Sequence, residues 1–152
     1  MKSLVKYMAV GAMAMACFSC ATDSKQVLVN SIENDLSFQQ VDSMGRAVIG
    51  KGLNAGSGYS QVWARDLNTF IETACEVVDT KDLRGAILVF FGLQQSNGEM
   101  IDGYVLKGEF DWDDPNQYFS DAAPGHVGFK NTVETDQETS LIQVVGKYIR
   151  KT

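Results

Sequence analysis

Residues 67–78 read Leu-Asn-Thr-Phe-Ile-Glu-Thr-Ala-Cys-Glu-Val-Val. Leu67, Phe70, Ile71, Ala74, Cys75 and Val78 fall at i, i+3, i+4, i+7, i+8 and i+11, the spacing of one face of an α-helix. The same spacing recurs through Leu83, Ile87, Phe90 and Phe91, where the turn dipeptide Asn97-Gly98 follows. It recurs again through Leu141, Ile142, Val145, Tyr148 and Ile149. Val27, Leu28, Ile32 and Leu36 mark a shorter first helix. Thr135-Asp136-Gln137-Glu138 predicts a capping box, with Thr135 as N-cap and Glu138 at N3. Glu99 to about Asn131 is polar and aromatic and reads as a long loop, a length unusual unless the loop serves a site. Four helices with one-sided apolar faces predict an all-α domain packed as hairpins.

The amino terminus reads as an export signal. Lys2 and Lys6 precede Met8 to Phe18, an uncharged run of eleven residues. That is too short for a membrane-spanning helix, which needs about 20 residues, and it suits a signal-peptide core. Ser19-Cys20 resembles the end of a bacterial lipobox, with Cys20 as the lipidated residue and Cys17 as a second candidate. The predicted organisation is a signal over 1–19, a tether over 20–26 and one globular segment over 27–152. The expected location is across the inner membrane, lipid-anchored at the outer membrane, periplasm or cell surface.

Charge and cysteine usage exclude several classes. The chain has 13 basic and 19 acidic residues, a formal charge of -6; two of the lysines and none of the acids lie in residues 1–19. An acidic protein without a basic cluster is a poor ligand for nucleic acid. Cys75 stands alone outside the export segment, on an apolar stripe, so packing is its expected role. One histidine, no HExxH and no CxxC pair beyond the signal leave no zinc pattern, and neither metal nor cofactor is expected. Asp111-Trp112-Asp113-Asp114 does not continue as an EF-hand, because Pro115 and Asn116 follow and Ala122 stands where the bidentate Glu is required. His126 is read as a satisfied loop histidine. Trp112, Tyr118 and Phe119 form either a sugar platform or a pin that holds the loop to the core.

Tyr59-Ser60-Gln61-Val62-Trp63-Ala64-Arg65-Asp66 resembles a signature of the six-hairpin, (α/α)6 toroid glycosidases of the glucoamylase type, whose first hairpin carries Trp-x-Arg-Asp at the sugar pocket. Gln94–Gly103 resembles the loop that closes an inner helix in that family. Lys130–Glu138 resembles the polar entry to the next helix, and Val145–Thr152 resembles a helix end that runs into a turn and another hairpin. The resemblance covers roughly residues 50–152. It implies a partial toroid, about the first two hairpins with long loops. It also implies hydrolysis of a glycosidic bond in an oligo- or polysaccharide as the parent activity.

Trp63, Arg65, Asp66, Asp102, Glu134 and Asp136 are the implied substrate-binding residues. A carboxylate at 66, held by the Arg65 fork, can accept two sugar hydroxyls, and charge-assisted bonds are the stronger kind. Trp63 can lie against the C–H face of a ring. The competing reading makes Asp66 the N-cap of a helix starting at Leu67. Hydrolysis needs an acid and a base, and Glu99, Asp102, Asp113, Asp114, Glu134, Asp136 and Glu138 are the carboxylates on offer. The resemblance places the catalytic pair in later hairpins, so no catalytic residue is assigned and the chain is expected to be inactive alone. Twelve helices of about 11–12 residues need roughly 200 residues with their connections. A small non-catalytic carbohydrate-binding lipoprotein and a structural lipoprotein remain as alternatives.

Cys20→Ala is expected to abolish lipid labelling and leave the chain unprocessed. Labelling that survives this change but disappears in Cys17→Ala would move the anchor to Cys17.

Overall fold

A computed structural model describes residues 24–54, 56, 58–109, 116–131 and 135–152. The export segment, with Cys17 and Cys20, lies outside them, as do Asp111, Trp112, Asp113, Asp114 and Glu134. The chain divides into two compact units, one ending at Met44 and the other running from Gly45 to Thr152. In the first, residues 24–33 form α1 and Leu36 opens α2 (Leu36–Ile49). Residues 24–26, at the end of the stretch read as a tether, are helical. A single short helix was expected here. The chain instead breaks at Asn34-Asp35, where Asp35 Oδ1 accepts the Ser37 N–H at 2.8 Å and starts a second helix. No described helix is long and apolar enough to cross a membrane.

The second unit is mostly helical with a small antiparallel sheet, so all-α describes it only coarsely. Its elements are β1 (Val62–Trp63), α3 (Ala64–Val77), α4 (Thr80–Gly92), β2 (Gly103–Leu106), β3 (Gln117–Tyr118), β4 (His126–Phe129) and α5 (Gln137–Lys151). The sheet order is β1-β2-β4-β3, antiparallel throughout. The region read as a loop thus contains three strands. They escaped the apolar pattern because none exceeds four residues and their alternation is too short to register.

Helix α3 buries Ala64, Leu67, Ile71 and Ala74, and α4 buries Leu83, Ile87 and Phe90. They form a hairpin joined through Val78-Asp79. The Asp79 side chain accepts the N–H groups of Lys81 and Asp82, an N-cap that fixes where α4 begins. Helix α5 runs parallel to α3. Arg65 meets Asp136, Asn68 meets Gln143 and Lys147, and Glu76 meets Lys151, so the contacts advance along both helices together. Both amino termini therefore lie at one end, beside the sheet.

The α5 pattern resolves differently from the sequence reading. Leu141 and Val144 enter the core, whereas Ile142 and Ile149 are 71% and 68% exposed. Of the neighbouring pair in α4, Phe90 is fully buried edge-on against Tyr104, whereas Phe91 is partly exposed. Cys75 packs against the core, and burial raises its thiol pKa.

Gly103 lets β1 lie against β2. A Cβ there would stand 2.9 Å from the Val62 carbonyl oxygen and 3.0 Å from two Trp63 ring carbons. Gly103→Ala is expected to cost about 1–3 kcal/mol, as over-packing does, and to change Trp63 fluorescence. Gly85, inside α4, has nothing within 4 Å of an added Cβ. Gly85→Ala should therefore stabilise by about 0.8–1 kcal/mol through helix propensity. Urea unfolding of the two variants checks both signs.

Candidate functional site

The candidate site occupies the end of the second unit where α3 and α5 begin. β1 delivers Trp63 in extended conformation, and the chain turns helical at Ala64. The competing reading of Asp66 as N-cap is corrected here. The N-cap position is Trp63, with no side-chain cap, and the Ala64 N–H donates instead to the Asp102 carbonyl at 2.8 Å. Asp66 sits in the first turn, exposed, where its charge complements the helix dipole. Its carboxylate has no hydrogen-bond or ion-pair partner among the described residues. Arg65, expected to hold Asp66, pairs across to Asp136, with Nε 3.3 Å from Oδ2. Both side chains are about half exposed. An ion pair so placed contributes little stability.

The predicted capping box is not made. Asp136 occupies the N-cap position of α5 without a side-chain cap bond. Glu138 reaches away from its own helix, and its Oε1 accepts the Met100 N–H at 3.0 Å and lies 3.6 Å from Lys130 Nζ. A donor from a distant segment of the same chain won over the local one because Met100 enters the core beside α5, where its N–H needs an acceptor.

Asp102 is 1% exposed. Its carboxylate accepts the Asn131 N–H, and Oδ1 lies 3.8 Å from Lys130 Nζ. Its N–H donates to the Phe129 carbonyl at 2.7 Å. Expected as a sugar contact, Asp102 here faces protein and holds the strands and the 130–131 backbone together. Of the implied residues, Trp63, Arg65, Asp66 and Asp136 are gathered at the opening of the paired helices, and Asp102 lies beneath them in the sequence of bonds. Glu134 lies outside the described residues.

Two residues were missed. Lys130, nearly buried, links Asp102 to Glu138. Gln61, 2% exposed, has an Oε1 with no hydrogen-bond partner among the described residues. A buried acceptor left unmade costs about 1–3 kcal/mol. Neither shows a sequence signal, since single polar residues beside strands are common. Among the described residues no group of three or more His, Cys, Asp or Glu is placed to hold a metal. Comparison with known protein families, curated proteins and solved structures finds no match to this chain.

The Met100 N–H, followed by the residue's own N–H and then Lys130, holds the Glu138 carboxyl below its ordinary pKa against a smaller opposing effect of burial. A carboxyl depressed in the folded state contributes stability above its unfolded pKa and loses it as pH falls through the folded one. Glu138→Gln should therefore melt earlier than the parent at pH 7, with the gap closing as pH drops below the ordinary Glu value. Thermal melts from pH 7 to pH 3 check this, and a constant gap would refute the linkage.

Proposed function

We propose that the Trp63–Arg65–Asp66–Asp136 cluster binds sugar, and that the chain contributes this site to a glycoside-hydrolysing protein of the six-hairpin type. The observation that carries the reading is the approach of Arg65 to Asp136 across two parallel helix starts. Residues 71 positions apart, each named by the resemblance, lie side by side there, with Trp63 leading into the same turn. Parallel neighbouring helices with their amino termini at one end are also what a ring of helical hairpins requires of its inner layer.

The chemistry suits a pyranose. The Trp63 indole offers an apolar face and an N–H at its edge. The Asp66 carboxylate, exposed and without a partner among the described residues, is open to two vicinal hydroxyls. Arg65 keeps Asp136 in place. Contacts of this kind favour hydrolysis to the extent that they tighten as the ring flattens toward an oxocarbenium ion. The catalytic acid and base are not assigned. The carbohydrate partner is an oligo- or polysaccharide, and the export segment implies a lipid anchor that keeps the site at a membrane surface.

Isothermal titration with a panel of oligosaccharides tests the reading. At least one should bind, and Asp66→Asn should weaken it roughly 10- to 150-fold, the equivalent of a charged hydrogen bond of about 1.5–3 kcal/mol. Because Asp66 does not cap α3, the same change should cost only the dipole contribution of about 0.3–1 kcal/mol. A variant that melts much earlier yet binds sugar normally would make Asp66 structural and sink the proposal.

A further inference from the structure

At the other end of the β2–β4 pair, away from Asp102, Leu106 lies opposite His126. The chain from Ser120 to Gly125 folds into a turn there. The Ala123 N–H donates to Ser120 O at 3.1 Å, the His126 N–H to Ala123 O at 3.1 Å, and the Lys107 N–H to Gly125 O at 2.9 Å. The turn closes one side of a cleft of about 250 Å³ lined by Lys107, Phe119, Ser120, Asp121, Pro124 and His126. Lys107 Nζ stands 5.5 Å from the centre of the Phe119 ring, a cation–π placement that steadies a long side chain over the cleft. The His126 ring is seated edge-on against Tyr104, with centroids 5.2 Å apart. The Ser120 hydroxyl oxygen accepts the Ala122 N–H at 3.2 Å, which leaves its O–H to donate elsewhere.

The polar groups of this cleft are not used up by the fold. The Lys107 ammonium, the Asp121 carboxylate and both ring nitrogens of His126 have no hydrogen-bond or ion-pair partner among the described residues. An exposed lysine or aspartate satisfies itself with water. A half-buried imidazole fixed by an aromatic neighbour, with neither nitrogen bonded, is less ordinary. Three functions of different kinds, one cation, one anion and one neutral donor–acceptor, face the same small volume.

We propose that this cleft binds a small hydroxylated carboxylate of the uronic-acid class. Lys107 pairs with the carboxylate, Asp121 and Ser120 bond hydroxyls, and Phe119 and Pro124 contact the C–H face of the ring. The volume lies just below the roughly 300–1,000 Å³ of sites for drug-sized ligands, so it takes one ring. A phosphate dianion is disfavoured, because among the described lining residues Lys107 shares the cleft with Asp121 and there is no arginine to bind it bidentately. A neutral sugar leaves Lys107 unmatched. The site is separate from the Trp63 cluster and does not depend on the reading given to it.

His126 is the chain's one histidine and reports on its own site. Burial holds its pKa below the ordinary value, so it is neutral at pH 7 in the free protein. Lys107 opposes its protonation and Asp121 favours it, while Tyr104, whose phenol burial keeps uncharged, adds no charge. A carboxylate bound beside the imidazole favours the imidazolium. Binding therefore raises the His126 pKa and tightens as pH falls from 8 toward 6. The test is an NMR titration of the His126 imidazole in the full chain, with D-glucuronate and with D-glucose. Glucuronate should raise the pKa and glucose should leave it unchanged. Lys107→Met, at an exposed position, should keep the spectrum of the folded chain but weaken glucuronate roughly tenfold or more. An unmoved imidazole at saturating glucuronate, equal responses to both sugars, or full binding by Lys107→Met would each overturn the assignment.

Discussion

The second unit depends on the bonds gathered at Asp102. Its carbonyl accepts the N–H that opens α3, its own N–H donates to Phe129 at the end of β4, and its carboxylate accepts the Asn131 N–H. Lys130 then extends the network from buried Asp102 to the part-exposed Glu138 at the start of α5. Three backbone segments far apart in sequence are thereby fixed to one another within a few ångströms. Buried charges cost several kcal/mol each in lost hydration, and pairing with hydrogen bonding is what makes them tolerable. Such a network adds little net stability over an apolar core, but it penalises any other arrangement that leaves one of its members alone.

Positioning of the candidate site follows from that network. Trp63 and Arg65 flank Ala64, whose N–H is tied to Asp102, so their direction is set by a bond the side chains do not make. Asp136 stands just before α5, which Glu138 anchors to Met100. The exposed residues can then be chosen for ligand chemistry, because the residues beneath carry the geometry. The close approach of β1 over Gly103 belongs to the same arrangement, since any side chain there would displace the Trp63 ring.

The two ends of the β2–β4 pair differ in chemistry. At Gly103 and Phe129 the polar groups are bonded to one another inside the protein. Beyond Leu106 and His126 they line an open cleft without partners among the described residues. The strands join these ends through Val105 and Val127, which are buried and keep their spacing fixed.

The helices at 64–77, 80–92 and 137–151 were legible in the sequence because a 3.6-residue period over a dozen residues is long enough to stand out. The Asp79 cap and the exposed place of Ile142 and Ile149 were not, since several faces of a short helix are apolar enough to be buried and only the neighbours choose. The helix at Leu36–Ile49 and the four strands were missed for related reasons. A helix with no described buried residue has no core-facing stripe to read, and strands of two to four residues carry too little alternation. For the candidate site, Trp63, Arg65, Asp66 and Asp136 were picked out by the family resemblance. Local spacing alone paired Arg65 with Asp66 and Glu138 with Thr135. Tertiary structure replaced both pairings, with Asp136 and Met100, because a helix start is close to whatever packs beside it as well as to its own chain. Residue chemistry is written locally; which partner satisfies it is decided by the three-dimensional neighbours.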